Sequence, residues 1–187
     1  DIDQIVVVGA GEYNLEGGEA FPIELGFGAK IRGAGADSTY VIGPGGSHDE
    51  SGAVFSVNGD AITIERLNIS TADLNGVGVW LLPGMQTKLK NNHIVSSYFG
   101  IYAKGSFSPR PFIESNIITG ASIGIATADS AEPMIRDNQI TDCGIYGLHI
   151  LDSSRPDLGT NDSTDAGGNT IRDCDQYLIY NGSPDTI

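Results

Sequence analysis

The sequence predicts an all-β fold, a single-stranded parallel β-helix of about six or seven coils of roughly 22 residues each. Three observations predict it. The segments "NHIVSSYFGIYAKGSFSPRPFIES", "NIITGASIGIATADSAEPMIRD", "NQITDCGIYGLHILDSSRPDLG" and "NTIRDCDQYLIYNG" all open with Asn, any residue, Ile. Each carries short apolar stretches parted by Gly, Asn and Pro turns, as expected of a coil that must stack on its neighbours to bury its inner side. No segment keeps the helical apolar period over about ten residues.

Along the chain, "IVVVGAGEYNLEGGEAFPIEL" and "GAKIRGAGADSTYVIGPGG" supply looser strand and turn units, so residues 1–52 are expected to form irregular first coils or a cap. Regular coils then run over residues 53–181, starting with "GDAITIERLNIS", in which Ile64 and Ile69 are spaced like Ile113 and Ile118. The isoleucines Ile94, Ile118, Ile140 and Ile171 follow at separations of 24, 22 and 31 residues. A second apolar position is expected at Ile101, Ile125, Leu148 and Leu178, and a third at Leu89, Ile113, Ile135 and Leu158. The long last separation marks an insert, "GTNDSTDAGG", at residues 159–168.

Equivalent residues of stacked parallel strands lie roughly 4.8 Å apart, so columns can be counted from the repeat. Asn92, Asn116, Asn138 and Asn169 form one, an expected ladder of hydrogen-bonded amides. Ser97, Ala121, Cys143 and Cys174 form another, at a tight inward turn. The two cysteines on that column fall within reach of a disulfide, and the sequence leaves open whether they form one or remain small core residues.

A chain of 187 residues with 40% apolar and 18% charged side chains, 26 Gly and 8 Pro fits one folded, turn-rich domain spanning residues 1–187. Its net charge of −14 argues against nucleic-acid and anionic-membrane partners, which are bound through Lys and Arg. Opening at Asp1 without Met, the sequence reads as a processed or trimmed chain lacking its targeting signal, and an extracellular or cell-surface monomer is expected.

The stretches "GEYNLEGGEAFPIEL", "KIRGAGADSTYVIGPG" and "RPDLG…GGNTIRDCDQYLIYN" resemble a bacterial domain-of-unknown-function family of right-handed parallel β-helices with pectin-lyase-like topology. The resemblance spans about Ile5 to Asn181 and implies a right-handed helix within a group of carbohydrate-binding proteins and sugar hydrolases. The rival for such a repeat length, a leucine-rich-repeat horseshoe, places its Asn after a run of leucines, whereas here Asn precedes Ile.

No stretch matches a nucleotide-binding loop: "VVVGAGEYN" is followed by Gly17, Gly18 and Pro22, which preclude the required helix. A glycoside hydrolase needs two carboxylates roughly 5 to 9.5 Å apart, and the stacked pairs Asp142 with Asp173 and Asp129 with Asp152 are the candidates for catalysis. They match no polygalacturonase-like motif, and no Arg or Lys sits in a stretch resembling a lyase motif. The expectation is therefore a non-catalytic extracellular module, carbohydrate-binding or structural. The alternatives are a polysaccharide lyase or glycoside hydrolase using the paired aspartates, and an adhesin or spacer segment. Tyr98, Tyr102 and His149 are expected to point outward as a surface for stacking a sugar ring. No cofactor is expected except Ca²⁺, for which Asp162 and Asp165 of the insert are the candidate ligands, with Asp157, Asn161 and Asn169 nearby.

Overall fold

The computed structural model describes residues 5–83, 86–95, 97–106, 110–160 and 162–182. The chain winds into a right-handed β-solenoid whose coils each contribute one strand to each of three parallel sheets. The first sheet has six strands, from Ile5–Val8 to Met134–Arg136, and the second seven, from Gly11–Asn14 to Thr170–Arg172. The third also has seven, from Ile23–Leu25 to Tyr177–Asn181. Six coils are complete. The seventh reaches the first sheet through the single bridge of Met134 to Asp157. The first two coils, drawn from the irregular N-terminal sequence, already carry all three strands.

Strands of three to six residues end at turns, many of which pass through a residue in the left-handed region. Between the first and second sheets that residue is Arg66, Asn91, Ser115 or Asp137, with φ between 54° and 61°. The next residue is Leu67, then Asn92, Asn116, Asn138 and Asn169 in the following coils. Asn92, Asn116 and Asn138 each serve their neighbours on both sides. Asn116 Nδ2 donates to Asn138 Oδ1 at 3.0 Å and to Leu89 O at 2.9 Å, while its Oδ1 accepts from the Asn92 backbone N at 3.0 Å. The ladder thus satisfies buried polar backbone at the sharpest bend of the coil, where no strand hydrogen bond can reach.

The core is a set of apolar columns. Ile64, Leu89, Ile113 and Ile135 pair in register on the first sheet, and Ile69, Ile94, Ile118 and Ile140 on the second. All are at most 1% exposed. Ile94, Ile118, Ile140 and Ile171 of the second sheet press against a column of Gly78, Gly100, Gly124 and Gly147 on the third. A Cβ on Gly124 would lie 2.4 Å from Ile140 Cγ2 and 2.6 Å from Gly147 O. Glycine is required there by the close approach of the isoleucine methyls, since its φ is not in the left-handed region.

One expected core position is corrected. Ile179, not Leu178, pairs with Leu148, and Leu178 O faces the glycine column beside Gly147. The turn after Cys143 is one residue longer than those after Ser97 and Ala121, and the turn after Cys174 keeps that length, so the inward position falls eight residues after Ile171 and not seven. In this last coil Tyr177, Leu178, Ile179 and Tyr180 are 38–56% exposed.

Candidate functional site

The third sheet carries the aromatic side chains. Two columns run along it in register: Ala53, Val77, Phe99, Ile123, Tyr146, Tyr177, and Ser56, Trp80, Tyr102, Ala126, His149, Tyr180. Aromatic rings at successive rungs are brought to stacking distance by the strand spacing itself. Trp80 stacks on Tyr102 with centroids 4.3 Å apart and planes 13° apart, and Phe99 leans on Tyr102 at 4.9 Å. Tyr98 meets the edge of Phe99 and stacks face to face on His48 at 3.8 Å. The result is a continuous patch from His48 to Trp80.

A second patch lies toward the C-terminal end. Tyr146 stacks on Tyr180 at 4.8 Å, with His149 at 4.8 Å from one and 5.3 Å from the other, and Tyr177 beside both tyrosines. The intervening coil contributes Ile123 and Ala126, both buried, so a low apolar step separates two aromatic walls. Tyr102 and His149 stand two rungs apart, roughly 10 Å.

Carboxylates border the first patch. Pro22, Glu24, Asp49, Glu50, Ser51 and Trp80 line a shallow recess of about 590 Å³. Asp49 caps the turn Glu50–Gly52, accepting from Ser51 N at 2.9 Å and Ser51 Oγ at 2.6 Å, and these bonds hold its carboxyl below the usual range. Trp80 Nε1 and His149 Nδ1 are buried with no hydrogen-bond partner among the described residues. Burial pushes the Tyr102 hydroxyl up, helped by Asp129 and Asp152, and pushes the His149 imidazole down against a smaller upward pull from Asp152.

Of the residues singled out in the sequence, Tyr98 and Tyr102 therefore share the first patch, and His149 belongs to the second. Sequence reasoning passed over Trp80, His48, Tyr146 and Tyr180. Trp80 was within reach of column counting, 22 residues before Tyr102, as was Tyr180, which follows His149 by the same 31 residues that separate Asn138 from Asn169. His48 lies on a loop outside the repeat, and no spacing pointed to it.

The paired aspartates occupy left-handed turn positions, with φ of 56° and 57° at Asp142 and Asp173 and 54° and 49° at Asp129 and Asp152. Asp142 Oδ2 accepts from Thr141 Oγ1 at 3.0 Å and Thr119 Oγ1 at 3.2 Å. Asp173 pairs with Arg172, and Asp129 with Lys104 at 3.5 Å. Three of these four carboxylates thus have neighbouring partners of their own.

In the insert, Asp165 is gripped by Arg136, Nε to Oδ1 at 2.6 Å and Nη2 to Oδ2 at 2.9 Å, while Asp162 Oδ1 accepts from Thr164 N at 3.0 Å. Asp165 thus faces a guanidinium, and Asp162 closes its own turn. Asn161 lies outside the described residues. Among the described residues no group of three or more His, Cys, Asp or Glu side chains is placed to hold a metal ion. Cys143 and Cys174 are free thiols; burial first, and Cys174 second, push the Cys143 thiol up to about 12.

Residues 51–183 match the family model described as "Right handed beta helix region". No curated protein and no solved structure matches the chain.

Proposed function

The chain belongs to the right-handed β-helix family, and from that premise we propose that it is a non-catalytic, extracellular or surface-displayed module that binds carbohydrate along its third sheet. The observation that carries this reading is the pair of aromatic patches, His48–Tyr98–Phe99–Tyr102–Trp80 and Tyr146–His149–Tyr177–Tyr180, laid along one face with a low step between them. Pyranose rings present apolar faces that stack on aromatic rings, while their hydroxyls seek acceptors. Glu24, Asp49 and Glu50 supply such acceptors at the border of the first patch. The regular rise of the coils suits an extended chain of sugars better than a single compact ligand. The protein acts as a monomer, with the remainder of the solenoid as a rigid support.

A glycan array followed by isothermal titration, with and without Ca²⁺, tests the reading. Saturable binding to a polysaccharide is expected, weakened about tenfold or more by Tyr102→Ala, in line with the loss of one stacking anchor. Absence of binding to every polysaccharide under both conditions removes the binding function and leaves a spacer or adhesin role.

A further inference from the structure

The chain has two cysteines, Cys143 and Cys174, and the solenoid sets them on adjacent rungs. The backbone is fixed on both sides of them. Thr141 pairs in register with Arg172 two residues earlier, and Asp175 N donates to Cys143 O at 2.9 Å one residue later. The preceding rungs repeat that bond, Ser122 N to Ser97 O at 2.9 Å and Gly144 N to Ala121 O at 3.0 Å, so the column keeps the parallel-strand spacing of roughly 4.8 Å. A disulfide spans Cα separations of about 4.4 to 6.8 Å. The side chains also lie the same way. A Cβ on Gly124 would stand 3.3 Å from Cys143 Sγ and one on Gly147 3.2 Å from Cys174 Sγ, so the sulfurs rest on successive glycines of one column, and a hydrogen bond joins the two thiols. Each otherwise donates weakly to a backbone carbonyl, Thr141 O at 3.8 Å and Arg172 O at 3.5 Å.

This pair stands where the solenoid is least supported. Cys143 is buried in the sixth coil, while Cys174 is half-buried in the seventh, between the strands Thr170–Arg172 and Tyr177–Asn181. Both strands are sheet edges, and their coil meets the first sheet through the isolated bridge of Asp157 to Met134. A covalent link at Cys174 would tie both edge strands to the coil beneath. Its closure draws the two Cβ atoms to about 3.8 Å, a movement that an edge coil can absorb.

We propose that Cys143 and Cys174 form a thiol–disulfide pair that fastens the last coil to its neighbour when a low-molecular-weight disulfide oxidises it and frees that coil when the bond is reduced. The thiolate of Cys174, the more accessible of the two, attacks one sulfur of the small disulfide; a mixed disulfide forms and one small thiolate leaves. Cys143 then attacks the Cys174 sulfur and passes its proton to the second departing thiolate. Two protein thiols and one small disulfide thus become one protein disulfide and two small thiols, with two electrons passing from the protein. The order follows from the surroundings. Burial, then the charge of Cys174 and the hydrogen bond to it, push the Cys143 thiol up to about 12, and capping Cys174 removes the last two of these causes. Tyr177 and Tyr180 of the second aromatic patch follow on the fastened strand, yet the thiol chemistry stands independently of any carbohydrate.

The test equilibrates the folded full chain with mixtures of glutathione and glutathione disulfide, then reads intact mass after alkylation, amide hydrogen exchange and thermal unfolding. One intramolecular disulfide is expected, with slower exchange over 170–181 and a melting temperature raised by roughly 5 to 10 °C, since the bond closes a loop across the 31 residues from Cys143 to Cys174. Cys143→Ser should accumulate the glutathione adduct at Cys174, and Cys174→Ser should react more slowly at Cys143. Two free thiols at the most oxidising ratio, a bond that forms only in urea, or last-coil exchange that is the same in both redox states would each overturn the proposal, and all three are read on the wild-type chain.

Discussion

Arg136 holds Asp165 in a two-pronged ion pair across 29 residues of chain, and the same guanidinium donates to the backbone and side chain of Asp157. The insert is thereby stapled to the first sheet at the point where that sheet ends. Its neck is closed by Gly159 and Gly167, where a Cβ would strike the facing backbone at 2.4 Å and 1.9 Å.

Replacing Arg136 by Ala should therefore destabilise the protein more than replacing either acid. The Arg136 side chain is 12% exposed, and its loss strands Asp165 and leaves Asp157 with the longer pair to Arg110 at 3.6 Å, for which about 2 to 3 kcal/mol is expected, against about 1 kcal/mol for Asp165→Ala. Urea denaturation of both variants measures the difference. Equal losses would show that the clamp is not the source of the insert's order.

The amide ladder predicts a position dependence. Asn116→Ala leaves the Asn92 backbone N and the Leu89 carbonyl without their side-chain partners in a fully buried turn, at an expected cost of about 2 to 4 kcal/mol. Asn169→Ala, at the partly buried end of the same ladder, should cost less than half as much. Thermal unfolding of the two variants provides the comparison.

For the glycine column, Gly124→Ala forces a methyl against Ile140 and the Gly147 carbonyl, an overpacking expected to cost about 1 to 3 kcal/mol or more. Gly26→Ala is the control, because nothing lies within 4 Å of its added Cβ. A denaturation midpoint that moves for Gly124→Ala and stays for Gly26→Ala is the expected result.

Stability should fall as the medium is acidified below about pH 6.5, the ordinary pKa of histidine. Burial lowers the imidazoles of His93 and His149 in the folded state, so the unfolded chain binds protons more readily. Their contribution is present above the unfolded value and is lost as pH falls through the folded one. His149→Phe should flatten the pH dependence of the melting temperature between pH 5 and 7, and an unchanged slope would count against this cause.

Much of the solenoid was legible because its contacts follow the chain in one dimension. A residue in one coil touches the residue one repeat later, so the ladder of Asn92, Asn116, Asn138 and Asn169 and the core at Ile94, Ile118 and Ile140 could be counted from spacing alone. The count failed in the coil after a turn had lengthened, because the longer turn is kept there and moves the last inward position from Leu178 to Ile179. Of the aromatic face, Tyr98, Tyr102 and His149 were visible as outward residues. Their division into two patches was not, since it depends on Ala126 and Ile123 filling the rung between them and on His48 arriving from a distant loop.

By itself, then, the sequence determined the period, the polar ladder and the apolar columns, because parallel strands stacked at constant spacing convert sequence separation directly into contact. The tertiary structure alone decided the partners of the charged groups. Arg136 could have met any of several acids in the insert, and Arg32 and Lys90 lie 58 residues apart with no shared motif, yet both pair with Glu65. Long charged side chains have many rotamers, and their pairing is selected by which turns and strands close around them, a choice that spacing along the chain does not encode.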